Sequence, residues 1–395
     1  MVGLAQSLGS TMLDALFGRE SAKGIYLSSR TFDFVLFFVG VLLPIVFFVL
    51  YWNADIPMAS LMILFIVLLD TPHAMQTITR VWMDDQARTL FGQRAIFCFM
   101  AMAVVCFTLI FSGNSFYILI ILLFYGPYHI VMQHFGIASL YRAKAGNVSA
   151  HAGMRDKHLL LSTYCLCVSW ATHDLFNLGP LWLWPQFVQP FEALGLAAVP
   201  PMLSDFWLFL VLPVSFVYFV VALGRWLLAL QQEVSSGAVL NRPRLLTLCL
   251  AVLNFLVVFF GLNAVAVSLN EGLFFVVIGI TAWHAVQYNG LVWHYNNKKF
   301  CALKGAGGAG STLLAWLSQR HRFFYYIGFL ALITLCAQLI AMLLLWLDSY
   351  AVKAWLGNTH DLVYAAYSVT FTHYYLDTLI WKGKHNKELG QVMFG

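Results

Sequence analysis

Histidine is the residue type in this chain whose placement most demands an explanation. Of 12 histidines, five fall inside long apolar stretches: His73, His129, His134, His284 and His373. An ionisable side chain costs about 2.5 kcal/mol or more at the centre of a bilayer, so its presence there points to use. A neutral imidazole bonded to a neighbouring helix is the plain alternative for any one of them, since interhelical polar contacts are ordinary. Five together argue for a shared task. Neutral imidazole is the commonest metal ligand, and helix bundles build metal sites from side chains on facing helices. On this reading all five are candidate metal ligands.

Neighbours at helical spacing supply the supporting chemistry. Asp70 and His73 are three apart, and His373 and Asp377 four apart, so each pair shares a helix face. A carboxylate so placed either binds the metal itself or orients the ring. His129 with Gln133, and His284 with Gln287 and Tyr288, repeat the pattern with neutral partners. Tyr288 and Asp377 are thereby the candidate catalytic groups beside the metal. Pro72 and Pro127 lack the N–H that would bond Leu68 and Leu123, so each is expected to kink its helix next to a histidine. His129 and His134 are five apart, ~140° around an ideal helix, so both face one site only if that helix is distorted. His151, His158, His321, His360 and His385 fall in loops or at interfaces. His173-Asp174 reads as an interfacial pair at an outer helix end, and His294 lies near a cytoplasmic one.

The elements that must carry these residues follow from composition. The chain has 395 residues, 61% hydrophobic and only 10% charged, with a mean hydropathy of +0.79. A water-soluble domain carries roughly 25% charged residues. Lipid is therefore the main solvent, and the fold class is an all-α, polytopic transmembrane bundle. Apolar runs long enough to cross ~30 Å of hydrocarbon are Phe34–Trp52, Met58–Thr79, Ala95–Phe111, Phe116–Tyr141, Leu159–Phe176, Phe206–Leu230, Leu245–Leu269, Leu273–Tyr295, Phe323–Trp346 and Leu362–Trp381. These ten form the bundle, residues 34–381, between a cytoplasmic segment, 1–33, and a cytoplasmic tail, 382–395.

Charge orients the bundle. Of the 22 Lys and Arg residues, all but Lys353 lie before the first run, after an even-numbered one or, in the case of Arg225, near the end of the sixth. The positive-inside rule then places both termini in the cytoplasm, and a bacterial chain of this kind belongs in the inner membrane. The net charge of +5 is an orientation signal and not a nucleic-acid patch. Counted from Arg80, Arg142, Lys298 and Lys382, the histidines at 73, 134 and 373 lie ~10–14 Å deep, and those at 129 and 284 ~20 Å.

Other features lose their obvious readings. Six of the seven cysteines lie in apolar runs, which is no disulfide framework. The sequon at Asn147 falls on the cytoplasmic side. Gly305–Gly310 matches a dinucleotide-binding pattern without its strand and reads as a linker. Leu178–Pro201, with Trp182, Trp184, Phe187 and Phe191, is expected along the outer interface.

Four motifs in order resemble the bacterial β-carotene-cleaving membrane dioxygenases of the Brp/Blh type. They are Pro72-His73-Ala74, His134-Phe135-Gly136, Trp283-His284 and His373-Tyr374-Tyr375-Leu376-Asp377. The resemblance implies histidine-bound iron and dioxygen, with His73, His134, His284 and His373 as ligands. The chain departs from that pattern in lacking acids after the first two motifs and in placing Tyr288 where the family pairs a second histidine.

The leading expectation is a non-haem iron oxygenase, with one or two ions, acting on a lipophilic substrate reached through the bilayer. Dioxygen and an electron donor are its expected partners. A proton-coupled carrier using Asp70, Glu271, Asp377 and the histidines is the first alternative, and a bis-histidine haem protein the second. The absence of an evident internal repeat counts against the carrier.

Overall fold

A computed structural model describes residues 26–146, 149–177, 205–262, 269–302, 308–351, 367–382, 385–386 and 388–394. Every regular element among them is helical. In chain order these are α1 (Arg30–Asn53), α2 (Met58–Met83), α3 (Asp85–Phe111), α4 (Phe116–Lys144), α5 (Ala150–Asn177), α6 (Trp207–Ser235), α7 (Arg242–Leu262), α8 (Leu269–Ala302), α9 (Ala309–Leu317), α10 (Phe323–Ala351), α11 (Tyr367–Ile380) and α12 (Glu388–Phe394). Among the described residues, seven stretches are long and apolar enough to cross a membrane, in α1, α2, α3, α4, α6, α7 and α8. The protein is a multi-pass membrane protein.

The expected spans fall on these helices with small shifts. Leu159–Phe176 lies within α5, which is 28 residues long yet is not one of the seven. Its serines, threonines and the His173-Asp174 pair dilute the apolar stretch. The expected span Phe323–Trp346 is helical throughout, within α10. Leu362–Trp381 is helical from Tyr367, and residues 352–366 lie outside the described ones, as does all of Leu178–Pro201.

The chain divides into two compact units. The first comprises Met1–Val41 and Pro127–Ile280, where α5 packs on α6 and α7. Asp156, fully buried, accepts hydrogen bonds from Arg244 Nε at 2.9 Å and Nη2 at 2.8 Å, and from Trp226 Nε1 at 3.2 Å. Buried charge of this kind stands only when both partners are bonded.

The second unit comprises Leu42–Gly126 and Thr281–Gly395. Here α11 packs against α3 and α2, around Val81, Phe91, Ala95, Leu376 and Ile380, with Trp381 beside them. Large apolar side chains also point outward in both units, such as Phe97 at 77% and Phe209 at 73% exposure. Such surface is stable against lipid and not against water.

Two backbone features of the second unit position the site. Ahead of Pro72, residues Ile66–Asp70 form a π-helical turn, and the Thr71 N–H reaches back to the carbonyl of Ile66. The missing proline N–H is thus absorbed by widening the turn. Pro127, by contrast, sits inside α-helix throughout α4. At the other end of α2, Gly310 approaches Met83 so closely that a Cβ would lie 2.9 Å from its Cα. The Gly308 N–H, at the N-terminus of α9, donates to Asp85 Oδ2 at 2.6 Å. Gly308 and Gly310, read from sequence as linker, are therefore built into the packing.

Candidate metal centre

Three of the expected ligands come together within the second unit. His73 on α2, His284 on α8 and His373 on α11 offer ring nitrogens that lie within 4.8 Å of one another. All three are buried, at 4%, 1% and 0% exposure. The rings meet edge to face: centroids are 4.8 Å apart for His73 and His284, and 4.7 Å for His73 and His373. His129 and His134 belong to the first unit, where both are buried.

Hydrogen bonding assigns the protons. His73 Nδ1 lies 2.5 Å from the backbone carbonyl oxygen of Asp70. A carbonyl only accepts, so Nδ1 carries the proton and the Nε2 of the neutral ring has a lone pair. The Asp70 carboxylate stands off at 3.8 Å and is 42% exposed. The expected orienting carboxylate is therefore replaced by the main chain, because the π turn that ends at Asp70 brings its carbonyl closer than its side chain.

His73 Nε2 faces His284 Nε2 at 3.3 Å. Metal–imidazole bonds are about 2.0–2.1 Å long, so two donors on one tetrahedral ion sit roughly 3.4 Å apart. The pair already has that separation.

His373 is held differently. Its Nδ1 lies 2.7 Å from Thr77 Oγ1, while Asp377 Oδ1 is 3.8 Å away. Thr77 donates to Asp377 Oδ1 at 3.0 Å, and Tyr288 donates to the same oxygen at 2.7 Å. Thr77 and Tyr288 are themselves in hydrogen-bond contact. Trp381 Nε1 donates to the Tyr288 hydroxyl at 3.4 Å. Tyr288 and Asp377 thus both border the histidines, as their i, i+4 spacing requires.

Two residues of this surround were not singled out from sequence. Thr77 is four residues after His73 on the same helix, a spacing that marks the shared face once sought. Arg80 was read as an interfacial orienting charge. It is 2% exposed, its guanidinium stacked 3.8 Å from the Tyr295 ring centroid and 4.3 Å from that of Trp381. Lys299, also counted as loop charge, is buried and paired with Asp84 at 2.7 Å and Glu388 at 2.8 Å.

The donor set suits a metal held by imidazole, with no thiolate among the converging groups. Imidazole alone serves zinc, copper, iron and nickel. No known protein family, curated protein or solved structure matches the chain.

Proposed function

We propose that the protein is a membrane-embedded oxidoreductase of the non-haem iron oxygenase class, acting on a lipophilic substrate. The observation that carries the reading is the convergence of His73, His284 and His373, three buried imidazoles from three helices. His73 presents an Nε2 lone pair because its Nδ1 proton is committed elsewhere. The choice of iron rests on the four motifs that resemble the Brp/Blh-type dioxygenases. Bound iron would supply dioxygen activation. The chain's own part is to hold the ligand rings, exclude water and keep a proton at the Tyr288 hydroxyl, bonded to Asp377. A substrate reaching this depth from the bilayer would be apolar, since the outward surfaces are apolar. An electron donor and placement in a bacterial inner membrane belong to the same proposal.

One observation favours a second reading. The chain His373–Thr77–Asp377–Tyr288 is a continuous hydrogen-bonded path of the sort a proton-coupled carrier uses. The haem alternative fits these three histidines poorly, because the His73 ring meets those of His284 and His373 edge to face at 4.8 and 4.7 Å.

Metal analysis and an absorption spectrum of purified protein test the proposal. Stoichiometric non-haem iron is the expected result. A Soret band would replace it with the haem reading, and protein free of metal would favour the carrier. The same assay on His129→Ala and His134→Ala tests the two further ligands expected from sequence.

A further inference from the structure

We infer that Thr77 is a positioning residue that sets which nitrogen of His373 carries the ring proton. Its use to the protein rests on the metal-centre reading; the proton assignment itself does not.

The argument is a count of donors and acceptors. A threonine hydroxyl has one proton to give and two lone pairs. Thr77 Oγ1 is within hydrogen-bond distance of three groups: His373 Nδ1, Asp377 Oδ1 and the Tyr288 hydroxyl. With Asp377 ionised, its carboxylate only accepts, and at 3.0 Å its Oδ1 takes the Thr77 proton. The Tyr288 proton goes to the same carboxylate oxygen at 2.7 Å. Thr77 has then no proton left for His373, and at 2.7 Å the imidazole must be the donor. Nδ1 carries the hydrogen, and Nε2 keeps its lone pair.

The same result holds if Tyr288 turns its proton toward Thr77, because Thr77 still gives its own to Asp377 and still accepts from His373. Thr77 is completely buried, so bulk solvent does not compete for these bonds. The direct route from His373 to Asp377 is too long for a hydrogen bond at 3.8 Å. The hydrogen-bonded route from Asp377 to His373 therefore runs through Thr77. His73 reaches the same tautomer through a backbone carbonyl. Two helices thus use two devices to present the same kind of donor atom.

Thr77→Val keeps the shape and removes both roles of the hydroxyl, whereas Thr77→Ser keeps both. Asp377→Leu removes the acceptor at the far end and leaves the Thr77 proton free to go to His373. Long-range proton–nitrogen correlation spectra of 15N-histidine-labelled, metal-free protein read the tautomer directly, with His373 assigned by its absence in His373→Gln. Nδ1-protonated His373 is expected in wild type and Thr77→Ser. An Nε2-protonated or mixed ring is expected in Thr77→Val and Asp377→Leu. Should Thr77→Val fail to fold, Asp377→Leu is read the same way.

Titration with Co2+ should show Thr77→Ser binding like wild type and Thr77→Val about 10–100-fold more weakly, the usual loss when a ligand's orienting partner is removed. An unchanged tautomer in both apolar variants would overturn the inference, as would wild-type Co2+ affinity in Thr77→Val. Wild-type protein that binds no Co2+ would sink the metal-centre reading alone, leaving the spectra to decide on Thr77.

Discussion

His73 and His373 owe their usefulness as donors to what holds the nitrogen facing away, a backbone carbonyl in one case and a hydroxyl in the other. Replacing His73, His284 or His373 singly by alanine removes a donor that hydrocarbon surroundings cannot replace with water. Each variant should insert normally and lose most of its bound iron, measured as metal per folded protein. His158, which bonds the Tyr218 hydroxyl at an exposed position, is the control, and His158→Ala should keep wild-type iron. Wild-type iron in all three site variants would reduce these imidazoles to packing contacts. Asp377→Asn retains an oxygen able to accept from Thr77 and Tyr288, so its iron loss should be about 10-fold or less, at the low end of such effects. A loss equal to that of the histidines would make Asp377 a direct ligand.

At the scale of the element, the π turn at Ile66–Asp70 decides how α2 presents His73. Pro72→Ala restores an N–H for the carbonyl of Leu68 and permits a regular α-helix. Removing one residue from the wide turn would rotate His73 by about 100° relative to Met58–Phe65. Iron content should fall while the melting temperature stays level or rises, a combination that simple destabilisation does not produce. The end of α8 carries a second element-scale device. Lys299→Met leaves Asp84, 3% exposed, without its cation, at an expected cost of about 3–5 kcal/mol. Glu388 at the start of α12 loses the same partner. Denaturant unfolding should show the loss, and limited proteolysis should cut residues 382–394 faster than in wild type. Equal stability and equal cleavage would show that this buried pairing contributes nothing.

For the whole molecule, the distribution of Lys and Arg predicts sidedness. A reporter fused after Gly395, or inserted at Gly305–Gly310, should report cytoplasm, and one within Leu178–Pro201 the outside. A C-terminus found outside would remove the depth ordering of the histidines as well as the orientation. The burial of Arg80 and Lys299 does not weaken the charge argument. Both belong to a buried layer of rings and ion pairs, with Tyr295 bonding Glu388 at 3.3 Å, and this layer continues from Trp381, which bonds Tyr288 beside the histidines.

Sequence alone determined that this chain is an all-helical membrane protein, that Tyr288 shares a helix face with His284, and that Asp377 shares one with His373. Hydropathy and i, i+4 spacing are local properties, and a residue cannot escape the helix face its number gives it. Thr77 at i+4 from His73 was legible in the same way, but nothing local says that a hydroxyl will face another helix. Which group holds each ring was decided only by tertiary structure. The Asp70 carbonyl displaced its carboxylate because the π turn sets the backbone geometry, and Thr77 came between His373 and Asp377 because α2 packs on α11. Arg80 moved from the expected interface to a stack on Tyr295 and Trp381 for a similar reason, since the rings that receive it lie more than 200 residues along the chain.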